Sequence, residues 1–160
     1  MKTLLIMHHS LTGRTRSLAD AVSAGAHFAI DEFLADSETL VQVSFCHAAE
    51  VGIEQMREAD ALIICTPENF GYMSGEIKAV FDRTYDAVRE VTAGRSYALV
   101  VSCGNDGRGA VSAIERIMIG YGMTPAREAM IVRGELTEES VSRAYELGQY
   151  MLASLAVGLI

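Results

Sequence analysis

Short apolar runs alternate strictly with helical patterns along the whole chain, and this alternation constrains the fold more than any other feature of the sequence. The apolar runs are rich in valine, isoleucine and leucine, which is typical of strands covered on both faces of a parallel sheet. They cover residues 3–7, 40–45, 61–65, 96–102 and 129–134. The helical patterns cover residues 14–30, 50–58, 75–88, 109–120 and a segment after Thr137. This order predicts the α/β class, with a three-layer, doubly wound, five-stranded parallel sheet.

Local signals agree with this assignment. Thr137 is a predicted helix cap, and the acidic residues that follow it suit the positive end of the helix dipole. Pro67 and Pro125 are expected beside element ends, where proline is tolerated. The sequence shows no repeat, low-complexity segment or linker, so we expect one domain over residues 1–160.

Charge and cysteine content exclude several classes of protein. The formal net charge is -8 and the basic residues form no run, which argues against nucleic-acid binding. Cys46, Cys65 and Cys103 follow neither a zinc-site nor a C-x-x-C spacing, and this predicts a reduced, cytoplasmic protein. Cys65 and Cys103 are expected to be small buried residues rather than redox thiols. His8 and His9 have no evident partner ligands, so we expect no metal.

The two ends of the chain carry no membrane or export signal that we can recognise. A strand pattern begins at the N-terminus, so no signal peptide is visible. The uncharged stretch 147–160 is short for a membrane span. It is interpreted as the end of a buried helix.

The loop after the first predicted strand concentrates hydroxyl groups at a helix N-terminus. Free backbone N–H groups and the helix dipole favour an anion there, and a glycine allows close approach. The residues expected to bind a phosphate are Ser10, Thr12, Gly13, Arg14 and Thr15. Plain helix capping needs only one hydroxyl, and the lysine of a Walker P-loop is missing.

Two further loops complete a predicted site. The loop after the third strand offers a wall for a flat heteroaromatic ring, with residues Pro67, Glu68, Asn69, Phe70, Gly71 and Tyr72. The glycine-rich loop after the fourth strand offers backbone N–H groups from Cys103, Gly104 and Asn105. Ligands of open parallel sheets bind beyond the carboxyl ends of the strands, where the winding reverses. A phosphate and a planar ring at this edge predict flavin mononucleotide (FMN).

Two motifs then resemble a known family. The stretch SLTGRT matches the [ST]-x-[ST]-G-x-T phosphate loop of the flavodoxin-like superfamily. The stretch TPENFGYMSGEIKAVFDR resembles the corresponding segment of NAD(P)H-dependent FMN reductases and related quinone reductases. The resemblance implies the strand order 2-1-3-4-5, phosphate contacts from residues 10 and 12–15 and ring contacts from residues 67–72. It implies looser contacts from residues 103–105.

One departure from the family pattern bears on function. Electron-carrier flavodoxins usually enclose the flavin between two aromatic rings, whereas this chain has no tryptophan and no aromatic residue in the loop after the fourth strand. An open flavin face suits stacking of a nicotinamide or a quinone. We therefore expect an NAD(P)H-dependent oxidoreductase that passes hydride through FMN to a quinone or flavin. No side chain is assigned as a general acid or base.

The alternative is an electron-transfer flavodoxin that docks redox partner proteins through its acidic surface. Other proteins of this fold are excluded, because a receiver domain needs an acidic pair where His8 and His9 stand, and a low-molecular-weight phosphatase needs C-x5-R after the first strand. The resemblance also implies a possible homo-oligomer.

Overall fold

A computed structural model describes residues 1–35 and 38–160. Its strands are β1 (Lys2–His8), β2 (Val41–His47), β3 (Ala61–Asn69), β4 (Tyr72–Met73), β5 (Ser96–Cys103), β6 (Thr124–Pro125) and β7 (Met130–Arg133). Its α-helices are α1 (Arg14–Phe28), α2 (Ile53–Glu58), α3 (Gly75–Thr92), α4 (Arg108–Gly120) and α5 (Glu138–Val157). A π-helical turn over Ala29–Phe33 continues α1, and a 3-10 turn over Ala48–Glu50 follows β2.

The sheet has the predicted strand order. The parallel strands lie in the order β2-β1-β3-β5, and β6 and β7 both pair with the outer edge of β5. The fifth position is therefore shared, with β6 beside Ser96 and Tyr97 and β7 beside residues 100–103. With β7 as the fifth main strand, the order 2-1-3-4-5 is confirmed.

The continuous apolar character of the strands follows from burial on both faces. Successive β1 side chains point to opposite sides of the sheet. Leu4 and Ile6 join the core layer under α1 and α5, whereas Leu5 and Met7 join the layer under α3 and α4. The three-layer arrangement is thereby confirmed.

The third predicted strand is longer than expected. β3 continues to Asn69 and turns back into the antiparallel strand β4, with Glu68 paired to Met73. The expectation that Pro67 lies beside an element end is wrong, because Pro67 is inside β3. It occupies the last register position against β5, opposite Ser102, where a missing N–H donor costs the ladder least.

The last helix matches its prediction. The Thr137 hydroxyl accepts a hydrogen bond from the N–H of Ser140 at 3.1 Å, so Thr137 caps α5 as expected. Leu147, Met151 and Leu155 are buried against the sheet. Across the two described ranges, no helix has the length and apolarity that a bilayer crossing requires.

Candidate functional site

The loops that follow β1, β3 and β5 meet at the carboxyl edge of the sheet. These three strands are neighbours in the sheet. β2 lies on one side of β1 and β3 lies on the other, so the direction of winding reverses at β1. The N–H of His9 donates to the carbonyl of Cys65 at 3.2 Å. The hydroxyls of Thr15 and Ser102 lie 2.7 Å apart. The site therefore stands at the reversal point where ligands of such sheets bind.

The N-terminus of α1 lacks a side-chain cap. Gly13 is the N-cap residue, with a φ of 93°, and it has no side chain to accept a hydrogen bond from the first N–H groups of the helix. The Ser10 hydroxyl instead accepts from the N–H of Gly13 at 3.0 Å, which folds the loop. Thr12 is exposed. Because helix N-termini attract anions through unpaired N–H groups, this loop can receive a phosphate.

Two residues of the predicted phosphate loop have structural side-chain partners. Thr15 is buried, and its hydroxyl is bonded to Ser102 of β5. The Arg14 guanidinium donates to the carbonyl of Gly134, just after β7, at 2.7 Å. These contacts brace the loop, so any phosphate contact from Arg14 or Thr15 in this conformation comes from the backbone N–H.

The β3–β4 hairpin presents aromatic side chains at the same edge. Phe70 and Gly71 have φ values of 53° and 70° between the paired residues Asn69 and Tyr72. Positive φ at both central positions defines a type I′ turn, which favours Asn-Gly. Phe70 is fully exposed and Tyr72 is 41% exposed. A bulky side chain held at positive φ and turned to solvent is a strained feature of the kind that accompanies binding sites.

The strain at Phe70 makes a testable prediction. We expect Phe70→Asn to raise the free energy of unfolding by about 1 kcal/mol, because asparagine tolerates positive φ. The same change removes the aromatic ring and should weaken binding of a flat ligand. Urea denaturation measures the stability, with Phe33→Asn as the control for loss of an exposed phenylalanine. A Phe70→Asn variant less stable than the parent would contradict the assignment of strain.

Glu68 is engaged by the structure itself. Its two carboxylate oxygens accept hydrogen bonds from the N–H groups of Gly107 and Ala110, each at 3.3 Å. This side chain caps α4 and ties the hairpin to that helix. A cofactor contact from Glu68 would have to come from its backbone.

The loop after β5 carries a buried thiol. Cys103 is 2% exposed, and its sulfur lies 3.5 Å from the carbonyl oxygen of Asn105. Burial, with a smaller contribution from Glu68, raises the pKa of the Cys103 thiol. Cys65 is fully buried, and burial raises its pKa to about 12. Both are buried, protonated thiols, whereas Gly104 and Asn105 are exposed.

The paired histidines lie beside the phosphate loop. His8 is buried and stacks on Phe45 with 4.7 Å between ring centroids, and His47 packs edge-on against both His8 and His9. Burial first, then the charges of Arg16 and His47, lowers the pKa of His8 to about 4. Over residues 1–35 and 38–160, no group of histidine, cysteine and acidic side chains is arranged to hold a metal ion.

The lowered pKa of His8 gives stability a pH dependence. The unfolded chain binds a proton near pH 6.5 whereas the folded chain binds it near pH 4, so acidification through this window favours unfolding. We expect a loss of about 2 to 3 kcal/mol from this group. His8→Phe should flatten the profile between these pH values, measured by urea denaturation, whereas the exposed His27→Phe should not. Equal profiles for both variants would refute the role of His8.

The sequence interpretation missed the residues that join the loops. Ser102, Gly107, Gly109 and Gly134 contact the candidate site through partners far away in the chain. Gly107 and Gly109 belong to the glycine-rich loop that the sequence shows, and Ser102 is a hydroxyl that ends an apolar strand, whereas Gly134 carried no such signal.

A family comparison decides which branch of this fold the chain represents. A family model described as NADPH-dependent FMN reductase matches residues 1–136. The chain belongs to this family. The resemblance seen in its sequence motifs is thereby confirmed for the FMN reductases.

The chain also matches curated relatives along part of its length. It is 28% identical over 96 residues to an NAD(P)H dehydrogenase (quinone) of Solidesulfovibrio magneticus, covering 51% of this chain and 47% of the relative. It is 30% identical over 94 residues to a protein of the same name from Aromatoleum aromaticum, covering 49% and 45%. The matched segment thus spans less than half the length of either relative.

Solved structures confirm the flavodoxin-like fold of this FMN reductase family member. An archaeal flavodoxin superposes with a TM-score of 0.79 at 20% identity, covering 97% of this chain and 99% of the other. A WrbA-like flavodoxin from Agrobacterium tumefaciens superposes with a TM-score of 0.74 at 17% identity, covering 99% of both. At these identities the similarity establishes the fold.

Proposed function

We propose that the chain binds FMN and is an NAD(P)H-dependent oxidoreductase that passes hydride to a quinone or a flavin. The observation that carries the proposal is the uncapped N-terminus of α1 at the same sheet edge as an exposed, strained Phe70, in a member of the FMN reductase family. The names of the relatives, which specify quinone dehydrogenases, support the choice of acceptor.

The residues present fit FMN. In an FMN complex, the hydroxyls of Ser10 and Thr12 and the N–H groups that start α1 would hold the phosphate. These groups add no charge, which suits a dianion in a chain of net charge -8. Residues 67–72 and 103–105 would border the ring, with Phe70 and Tyr72 supplying aromatic surface.

In an FMN complex, the protein would orient the flavin and leave one face of its ring open. Bound FMN would supply the hydride-accepting centre, because no side chain of the site is suited to redox chemistry. The buried thiols of Cys65 and Cys103 are protonated, so we assign them no part in electron transfer. The loop after β5 carries no aromatic residue, and this leaves room for a nicotinamide or quinone to stack.

Anaerobic stopped-flow spectroscopy tests the proposal. The FMN-loaded protein is mixed with NADH or NADPH, and we expect the flavin absorbance to bleach and then return when a quinone is added. A flavin that dithionite bleaches but neither nicotinamide reduces would refute the oxidoreductase. That outcome would favour the electron-transfer flavodoxin, which the acidic net charge also suits. Homo-oligomer formation and cytoplasmic location stay predictions.

The role of Gly13 in phosphate binding is tested by a matched pair. Gly13 and Gly94 have φ values of 93° and 85°, and both have open space where a Cβ would lie. Alanine at either position should cost about 1 kcal/mol of stability through backbone strain. Gly13→Ala alone should raise the Kd for FMN by about tenfold or more, because the loop relaxes and misaligns its N–H donors. Fluorescence titration measures the Kd for FMN. Equal values for the two variants would contradict the role of Gly13 in phosphate binding.

A further inference from the structure

A groove between α3 and α4 leads away from the candidate flavin site. Its upper part is a cavity of about 270 Å³ bordered by Tyr72, Lys78, Ser112 and Arg116. Its lower part is a cavity of about 400 Å³ that shares Lys78, Arg116 and Ile117 with the upper part. Because Tyr72 belongs to the β3–β4 hairpin, the groove opens beside the expected position of the flavin ring.

The upper part of the groove has the chemistry of a phosphate site. Arg116 is exposed and makes no hydrogen bond or ion pair with any residue in the described part of the chain. A free guanidinium is suited to bidentate binding of phosphate oxygens. Lys78 borders the same cavity. It forms an exposed ion pair with Asp82, four residues along α3. Exposed ion pairs are weak, so a phosphate can take the place of the Asp82 carboxylate. Ser112 adds a hydroxyl donor.

The lower part of the groove suits a nucleoside. Tyr85 and Ile117 are half-buried and border it with apolar surface, and the buried Phe81 also lies along it. Gly120 leaves room for the Tyr85 ring, because a Cβ at this position would lie 3.2 Å from that ring. The carboxylates of Asp82 and Asp86 lie at the same end and can accept hydrogen bonds from ribose hydroxyls.

The length of the groove matches an extended ligand. The α3 residues that border it run from Lys78 to Asp86, and a rise of 1.5 Å per residue gives roughly 12 Å. A dinucleotide whose nicotinamide lies on the flavin must place its pyrophosphate and adenosine on a track that starts at the ring. The groove can serve as such a track, with Lys78 and Arg116 where its two parts meet and the side chains of Tyr85 and Ile117 beyond them.

We propose that the α3–α4 groove binds the adenosine diphosphate half of the nicotinamide donor, with Arg116 and Lys78 on the pyrophosphate. The inference rests on the proposed oxidoreductase function and assigns its donor a binding site. Because Asp82 and Asp86 repel further negative charge, the groove should favour ADP over 2′,5′-ADP, and hence NADH over NADPH.

Binding of ADP tests the groove without requiring hydride transfer. Isothermal titration of ADP into the FMN-loaded protein should show binding that Arg116→Glu weakens by about tenfold or more. Arg143→Glu makes the same charge change on the exposed surface of α5 and should leave the Kd unchanged. Absence of ADP binding to the parent protein, equal losses in both variants, or tighter binding of 2′,5′-ADP would overturn the inference.

Kinetics separate this inference from the proposed function. If the donor uses the groove, Arg116→Glu raises the KM for NADH and leaves the FMN content and the rate of reoxidation by quinone unchanged. An unchanged KM would refute the groove while the oxidoreductase stands. If neither nicotinamide reduces the parent flavin, the oxidoreductase fails, and ADP binding alone then decides whether the groove is a nucleotide site.

Discussion

Gly109→Ala is expected to displace the β3–β4 hairpin from α4 and to weaken FMN binding by about tenfold or more. A Cβ at position 109 would lie 1.8 Å from the carbonyl oxygen of Gly71 and 2.6 Å from its carbonyl carbon. Both are backbone atoms, so no side-chain rotation can relieve the clash, and either the helix or the hairpin must move. Overpacking of this kind costs about 1 to 3 kcal/mol or more.

The displacement acts on the candidate ring site directly. The hairpin holds Phe70 and Tyr72, and the hydrogen bonds that Glu68 accepts from the N–H groups of Gly107 and Ala110 are already 3.3 Å long. A shift of the hairpin lengthens these bonds and moves the aromatic side chains away from the phosphate loop. The phosphate contacts proposed for residues 10 and 12–15 would remain, so a residual affinity for the phosphate end of FMN should persist.

Fluorescence titration with FMN checks the Gly109 prediction, and Gly75→Ala is the matched control. Gly75 also lies in the first turn of a helix, α3, but a Cβ there meets nothing within 4 Å. We expect the control to bind FMN as the parent does. An FMN affinity of Gly109→Ala within twofold of the parent would show that the hairpin and α4 do not position the ring.

The sheet and the loops of the site could be predicted because their signals are local. Each buried strand is a continuous apolar run, and the SLTGRT loop joins a strand to a helix within a few residues. The strand order came from the family resemblance, since apolar runs alone do not specify which strands are neighbours.

The hairpin and the contacts between the loops could not be predicted. β4 has only two residues, and Phe70 adopts a positive φ against its ordinary preference. The bond between Thr15 and Ser102 and the capping of α4 by Glu68 join residues that are 87 and 39 or more positions apart. Such contacts leave no periodic pattern in the sequence. They decide, however, which side chains are free to bind a ligand and which are committed to the fold.

Gly25→Ala and Gly148→Ala should each destabilise the protein by more than about 4 kcal/mol, the largest stability effects that we expect. The helices α1 and α5 cross with their backbones in contact. A Cβ on Gly25 would lie 1.9 Å from the carbonyl oxygen of Tyr145, and one on Gly148 would lie 1.9 Å from that of Val22. A single methyl group must therefore separate the two helices and open the core layer between them and the sheet.

The two α1–α5 glycines should also be energetically coupled. Once either alanine has separated the helices, the second meets less resistance, so the double variant should lose less stability than the sum of the single variants. Urea denaturation measures all three, and Gly75→Ala, a helical glycine with open space, should stay within about 1 kcal/mol of the parent. Strict additivity, or single losses below about 1 kcal/mol, would show that the helices adjust independently at each glycine and that the close crossing is not required for stability.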